Sequence, residues 1–345
     1  MPDAGKSTTI RDVAARASVS ISTVSLALNH PDRVSPATRE RVLAAADALS
    51  FVPREQAIAR ARRTAKRVGV IGPFSSYPAA MTRLAGVLAA ARGESVDVVV
   101  FDEPSAATSP APLLASLPRT GRLDGLLIVS LPLDDPIVDR IRSLDLPTVL
   151  VDTDHPGLSS VRIDDKAGGA LAGAHLIEGG HHRFAFLGEA QENDAYTAPA
   201  RHRLDGYSQM LYEQGHALDP ALIRWTTRDL DKAHAVARDV LGDPDRPDAV
   251  FAADDLLAAA VIRAAHDLAL DVPADVAVIG YDDTETARAL ALTTIGQPLT
   301  HSGSEGLRLL RDHMRTPSDA LSSTALRPYL VRRLTTPATT NSTTK

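Results

Sequence analysis

Two acidic pairs, Asp254-Asp255 and Asp282-Asp283, could suggest a site for a hard cation. Each pair is better explained as one carboxylate facing a cleft and one with a structural task. Gly5-Lys6-Ser7 imitates the end of a phosphate-binding loop, but neither a strand nor an earlier glycine precedes it. Gly69-Val-Ile-Gly72 follows strand residues without completing a dinucleotide fingerprint. His181-His182 and the scattered histidines lack ligand spacing, and His181 is expected to cap a turn after a helix. No Ser/His/Asp set carries a nucleophile elbow. The sequence has no cysteine, which removes thiolate ligands, disulfides and cysteine nucleophiles. Neither catalysis nor a metal nor a cofactor is therefore expected. What remains is a run of small hydroxylated residues, Ser20-Ile-Ser-Thr-Val-Ser25, of a kind that can approach base edges in a DNA groove.

The charge distribution supports that choice. The 345 residues carry a net charge of −6, which at first disfavours a polyanion partner. Up to Arg67, however, twelve basic residues face six acidic ones, whereas the remainder holds 25 against 37. A basic head on an acidic body suits a nucleic acid. With 44% hydrophobic and 23% charged residues the chain can build a sizeable core. The polar stretch Met1 to Thr9 lacks the apolar run of a signal peptide, and nothing approaches the ~20 apolar residues of a membrane span. A soluble, cytoplasmic protein is expected.

Three short helices must position the hydroxyl run. Thr9 and Asp12 form a capping box, and Ile10, Val13, Ala14 and Ala17 follow helical spacing. Ser20 caps a second helix running towards Asn29, with Val24, Ala27 and Leu28 inward. Ser35-Pro36 starts a third, with Val42, Leu43, Ala46 and Leu49 as its stripe. Two helices around a tight turn and a third as buttress make a helix-turn-helix, whose second helix enters the major groove. The run from Thr9 to Asn29, with Arg33-Val-Ser-Pro-Ala-Thr-Arg39 and Phe51-Val-Pro53, resembles the DNA-binding head of the LacI/GalR repressor family.

That resemblance implies Ile21 and Ser22 as base-reading positions, with Thr9, Ser20, Thr23, Ser25, Leu26 and Asn29 also at the DNA. Many members carry Arg where this chain has Leu26, so a contact there is apolar, with a thymine methyl. The family often has Gly in the turn; Ser18 is tolerable if the turn avoids positive φ. The resemblance also implies a hinge helix over residues 53–67 that enters the minor groove through Arg54, Ala57, Arg60 and Arg62. The leucine that wedges between base steps is absent, its slot falling on Arg60 or Arg62, so the hinge relies on Arg and phosphate contacts.

From Val68 short apolar runs alternate with Ala-rich helical stretches. The runs are Val68 to Ile71, Val96 to Phe101, Gly125 to Ser130, Thr148 to Asp152, Phe184 to Leu187, Ala249 to Ala252 and Val276 to Tyr281. Such alternation predicts doubly wound parallel sheets in two lobes, with ligand beyond the strand C-terminal ends. Val161-Arg-Ile-Asp-Asp165, Arg201-His-Arg-Leu-Asp-Gly-Tyr207, Ala253-Asp-Asp255 and Val278-Ile-Gly-Tyr-Asp-Asp283 resemble the same family's effector domain. The implied fold is an all-α helix-turn-helix head (1–52) on an α/β periplasmic-binding-protein-like body (68–334). Lobe 1 takes about 68–163 and 298–326, lobe 2 about 164–297 and 327–334, and the Thr-rich tail 335–345 is expected to be disordered. The resemblance points to Arg203 and Asp282 as effector contacts and to Asp254, where many members have Asn, with Arg203 as its candidate ion-pair partner. Pro73, Ser75, Ser76 and Tyr77 are first-lobe contacts, and Gln297 a crossover contact. Trp225, the single tryptophan, is expected to pack in the core.

The expected function is a homodimeric regulator that represses carbohydrate-utilisation genes at a pseudo-palindromic operator and is released by a sugar. The alternative is a global or architectural DNA-binding regulator that works without an effector or with a corepressor.

Overall fold

The computed structural model describes residues 9–29, 33–49, 51, 65–103, 123–191, 198–316 and 320–337. The chain divides into two compact units, Met1–Lys66 and Arg67–Lys345.

The first unit is the expected three-helix head: α1 (Ile10–Ala17), α2 (Ile21–Asn29) and α3 (Pro36–Ala48). The Asp12 carboxylate accepts from the Thr9 backbone N–H at 2.8 Å and from its hydroxyl at 2.7 Å, fixing the start of α1. Ser20 Oγ accepts from Thr23 N at 3.0 Å and Ser35 Oγ from Thr38 N at 3.3 Å, so both serines cap as their positions predict. Val13, Ala14, Ala17, Val24, Ala27, Val42, Ala45 and Ala46 form one small core. Leu43 departs from the expected stripe, being 44% exposed while Ala45 points inward. Ser18 departs too: it adopts φ 53°, ψ 48°. The turn therefore does use the left-handed conformation, and a side chain with Cβ carries a steric cost where Gly would carry none.

The second unit is the pair of doubly wound lobes that the alternating pattern predicts. Lobe 1 contains β1 (Lys66–Gly72), β2 (Val96–Asp102), β3 (Gly125–Val129), β4 (Thr148–Val151), β5 (Ser159–Ile163) and β11 (Ser323–Leu326), in spatial order β11-β5-β4-β3-β1-β2. Lobe 2 contains β6 (Phe184–Glu189), β7 (Ile223–Thr226), β8 (Ala249–Ala252), β9 (Ala277–Asp282), β10 (Thr293–Gly296) and β12 (Tyr329–Val331), in order β12-β10-β9-β8-β6-β7. For β1 to β5 the lobe 2 order repeats the lobe 1 order displaced by five strands, and each sheet adds a late strand, β11 or β12, at the same edge. Thus β1 corresponds to β6, β3 to β8 and β4 to β9. The central strands are apolar throughout, as in Gly125–Val129 and Ala249–Ala252, because helices cover both faces. β12 runs antiparallel to its neighbour, β10.

In each lobe one helix pair approaches closely. Helix α4 (Pro78–Ala91) meets α11 (Leu299–Arg315), and α6 (Asp165–Glu178) meets α7 (Pro199–Glu213). A Cβ on Gly303 would stand 1.9 Å from the Arg83 carbonyl oxygen, and one on Gly169 would stand 1.9 Å from the Arg203 carbonyl oxygen. Those two glycines let the helix turns bearing the two arginines sit against a neighbouring backbone. The remaining helices are α5 (Asp135–Ser143), α8 (Leu230–Leu241), α9 (Asp255–Asp267) and α10 (Glu285–Ala289) among the described residues.

Thr335 and Thr336, expected in a disordered tail, belong to lobe 2. Thr335 and Thr336 are 6% and 4% exposed. Thr335 Oγ1 donates to Val278 O at 2.7 Å and accepts from Thr293 N at 2.9 Å. Thr336 Oγ1 meets His175 Nε2 at 2.8 Å. Threonine-rich composition reads as disorder, but here two hydroxyls satisfy buried polar groups of lobe 2.

Candidate functional site

In the head, α2 exposes a face beside those of α1 and α3. On α2, Ile21 is 44% and Leu26 36% exposed, while Val24 and Ala27 are buried against α1 and α3. Ser20 and Ser22 are exposed, and Thr23 and Ser25 half-buried. The Ser20 hydroxyl lies 2.7 Å from that of Ser22 and 2.8 Å from that of Thr23. Thr9 lies exposed at the cap of α1, and Asn29 ends α2. The expected hinge residues Arg54, Ala57, Arg60 and Arg62 lie outside the described residues.

In the body, the C-terminal ends of strands from both lobes converge on a cleft. Ser130 follows β3, Asp152 follows β4, Asp254 follows β8, and Asp282 ends β9. Ser130, Asp152 and Asp282 all have positive φ, at 51°, 64° and 109°. Left-handed backbone on non-glycine residues costs on the order of 1–3 kcal/mol each and clusters at sites where side-chain direction matters. Here it turns hydroxyl and carboxylates into the cleft. The cavity between them is about 90 Å³.

Two arginines on corresponding helices anchor the network. In lobe 1, buried Arg83 on α4 donates through NH2 to Asp152 at 2.5 Å and to Gln297 Oε1 at 2.8 Å. Ser130 Oγ donates to the other Asp152 oxygen at 2.7 Å. In lobe 2, Arg203 on α7 donates through Nε to Asp165 at 2.7 Å and through NH1 to the Ala253 carbonyl at 2.5 Å. Its NH1 stands 3.9 Å from Asp282, and its guanidinium lies 3.7 Å from the centre of the Tyr281 ring. Gln297, on the crossover after β10, donates to Asp282 Oδ1 at 2.5 Å. Arg83–Asp152 and Arg203–Asp282 therefore occupy corresponding places in the two lobes.

A second set joins the lobes directly. Arg228, in the loop before α8, pairs with Asp254 at 2.8 Å and donates to the Ser76 carbonyl at 2.5 Å. Its guanidinium stands 4.8 Å from the centre of the Tyr77 ring, and the Tyr77 hydroxyl donates to Glu189 at 2.8 Å. Asp254 also caps α9 by accepting from Leu257 N at 2.8 Å. Its partner is Arg228 rather than Arg203, which is already committed to Asp165.

Burial sets the charge states. It pushes the Asp282 carboxyl up to about 7, against the pull of Arg203. Burial likewise raises Asp152, opposed by Arg83, and Glu189, opposed by the Tyr77 hydroxyl. Burial works against the Arg203 charge, but Asp165, Tyr281 and Asp282 outweigh it and hold the guanidinium firmly protonated.

Of the residues expected at an effector, Pro73, Tyr77, Arg203, Asp254, Asp282 and Gln297 line the cavity. Ser76 contributes its carbonyl to Arg228, while Ser75 is exposed and donates its N–H to Asp102 at 2.9 Å. Arg83, Ser130, Asp152 and Glu189, all lining the cavity, escaped the sequence reading, as did Arg228. No local motif marks Arg83 or Asp152, and their correspondence to Arg203 and Asp282 emerges only from the strand order of the folded lobes. Trp225 packs edge-to-face on Phe186 with centroids 5.6 Å apart, under the Arg201 guanidinium, and does not line the cavity. Among the described residues no three His, Asp or Glu side chains are grouped to hold a metal ion.

Comparison with known proteins fits this anatomy. The profile of "Bacterial regulatory proteins, lacI family" matches residues 9–54, and that of a periplasmic binding protein-like domain matches residues 174–336. The HTH-type transcriptional regulator DegA of Bacillus subtilis is 31% identical over 340 residues, covering 95% of this chain and 98% of DegA. CelR of Thermobifida fusca is 32% identical over 319 residues, covering 89% and 92%. Among solved structures, a CelR–cellobiose complex superposes with TM-score 0.68 at 30% identity, covering 95% of this chain and 99% of that one. The lac repressor dimer bound to operator and an anti-inducer gives 0.69 at 29% identity, covering 96% and 100%. A helix-turn-helix head, a two-lobed body and identity of this extent over nearly the whole length place the chain in the LacI family of DNA-binding transcriptional regulators.

Proposed function

We propose that this protein is a homodimeric repressor whose operator affinity is set by a hydroxyl-rich small molecule, a sugar, bound between the lobes. One observation carries the ligand class: corresponding Arg–Asp pairs, Arg83–Asp152 and Arg203–Asp282, face one another across a cleft at the strand ends. Paired donors and acceptors of both signs suit a neutral polyol, which both donates and accepts at every hydroxyl. The relatives support the same reading, CelR being known in complex with cellobiose. As a regulator of this family the chain works by binding, not by catalysis.

The cavity of about 90 Å³ is bridged by direct bonds between the lobes, from the Arg228 guanidinium to the Ser76 carbonyl and from the Tyr77 hydroxyl to Glu189. Ligand entry therefore separates the lobes and exchanges the Arg228–Ser76 and Tyr77–Glu189 bonds for bonds to the ligand. Changing the lobe angle alters how two heads of a dimer meet two half-sites, and operator must weaken the effector by the factor with which the effector weakens operator. Residues 9–67 supply the DNA contacts, with Ile21, Ser22 and Leu26 on the face that meets the bases and Arg54, Ala57, Arg60 and Arg62 in the hinge.

The direct bonds across the cleft favour one second reading: a cleft held closed by its own side chains, in a regulator that needs no effector. Capture of genomic fragments at moderate salt, followed by sugar titration of the captured operator, separates the two. An enriched palindrome released by a sugar supports the proposal. An enriched palindrome indifferent to every sugar, or retained only with one, supports the second reading or a corepressor. Equal affinity for cognate and random duplexes across a salt series refutes specific repression altogether.

A further inference from the structure

The recognition face has an unusual chemical poverty. From Ala17 to Leu28 the sequence contains no Arg, Lys, Asn, Gln, Asp, Glu or His. The turn and nearly the whole of α2 thus lack every side chain able to make a bidentate contact to guanine or adenine, or to accept from cytosine. The hydroxyls do not replace them. A hydroxyl donates or accepts as required and so distinguishes bases poorly. The Ser20 hydroxyl is moreover engaged with Ser22 and Thr23 at 2.7 and 2.8 Å. What the face does present is carbon: Ile21 at 44% and Leu26 at 36% exposure, at the two edges of the strip of α2 that carries Ser22 and Ser25.

A helix that enters the major groove with aliphatic tips meets one base-specific apolar feature there, the C5-methyl group of thymine. We infer that α2 identifies its operator by covering thymine methyl groups with Ile21 and Leu26. The inference rests on the reading that α2 lies in the major groove. It adds the kind of base feature that is read. Phosphate contacts from the basic head supply affinity without sequence information, so what the stretch from Ala17 to Leu28 discriminates by direct contact in the major groove is these methyls.

The test replaces the methyl alone. Uracil pairs as thymine does and lacks only C5-methyl. Genomic fragments amplified with dTTP are captured by the full-length protein, and the enriched duplex is then made with dT or with dU at each position in turn. Wild-type protein should lose about fourfold in affinity for each covered thymine replaced, and about fifteenfold when the equivalent thymine of both half-sites is replaced. Leu26→Ala and, separately, Ile21→Ala should bind the dT duplex more weakly and be nearly indifferent to dU at the position each residue covers. Non-additivity of protein and base changes is the signature of a direct contact. Equal binding of dT and dU duplexes by wild-type protein overturns the inference while leaving operator recognition intact. So does a dU penalty unchanged in both variants, which would assign the methyl effect to DNA shape. If no fragment is enriched from the dT pool, operator recognition itself fails and this inference with it. Circular dichroism of each variant checks that the head keeps its helices, which Ala favours.

Discussion

The buried carboxyl of Asp282 makes stability of the body fall as pH rises, and Asp282→Asn should remove that dependence. Asp282 is 7% exposed and its pKa is raised from 3.8 to about 7 by burial, with Arg203 opposing. Between those values the folded protein keeps a proton that the unfolded chain releases. The unfolded state then binds fewer protons than the native state, so the unfolding free energy decreases with pH across this window and levels off above about 7. Asn has the same shape, carries no charge, tolerates the φ of 109° and can still accept from Gln297. With the two pKa values, the stability of the Asp282→Asn variant relative to wild type should grow by about 2–3 kcal/mol between pH 5 and pH 8. Any constant cost of the new amide cancels from that slope. Urea unfolding followed by the fluorescence of Trp225, which packs in lobe 2 beside Phe186, measures it directly. A difference that stays constant within ~0.5 kcal/mol from pH 5 to pH 8 would refute the argument that burial dominates this carboxyl.

Three further outcomes follow from particular contacts. Arg203→Ala strands the buried Asp165 carboxylate and should cost about 3–5 kcal/mol in urea unfolding. Adding Asp165→Asn should recover a large part of that loss, and strictly additive costs would show that the pair is not the cause. Ser18→Gly relieves a left-handed serine and should raise the melting point of the head, by about 0.5–1 kcal/mol of stability, with unchanged DNA affinity. A chain ending after Leu334 loses the buried bonds of Thr335 and Thr336 and should be less stable by about 2–4 kcal/mol, whereas one ending after Pro337 should unfold as the full chain does. Equal unfolding midpoints for the two truncations would show that the threonines are dispensable.

The legible parts of this sequence were those written in local chemistry. Caps at Thr9, Ser20 and Ser35 act at three or four residues' range, and the apolar runs of β1, β3, β4, β6, β8 and β9 betray strands buried on both faces. β5, Ser159–Ile163, and β11, Ser323–Leu326, are polar enough to escape that signal. Within the cleft, Arg203, Asp254 and Asp282 could be named because they sit in motif-like runs. Arg83 could not, since an arginine in an Ala-rich helix reads as a solvated charge until the fold buries it to 2% exposure beside Asp152. Ser18 shows the opposite failure: its residue type argued against positive φ, and the closure of the turn required it.

Gln297 is where these contacts become a mechanism. Its amide accepts from Arg83 of lobe 1 and donates to Asp282 of lobe 2, from a crossover that belongs to neither sheet. The opposite orientation of the amide would set donor against donor at Arg83, so the bond from Arg83 fixes which way the amide points and leaves Nε2 for Asp282. A ligand hydroxyl that takes the Asp282 oxygen must release Nε2, and one that takes Arg83 must release Oε1. Either exchange frees one lobe from the crossover while the other remains attached. A ligand moves such an equilibrium only by the difference in its contacts with the two states, and at Gln297 that difference is built into a single side chain.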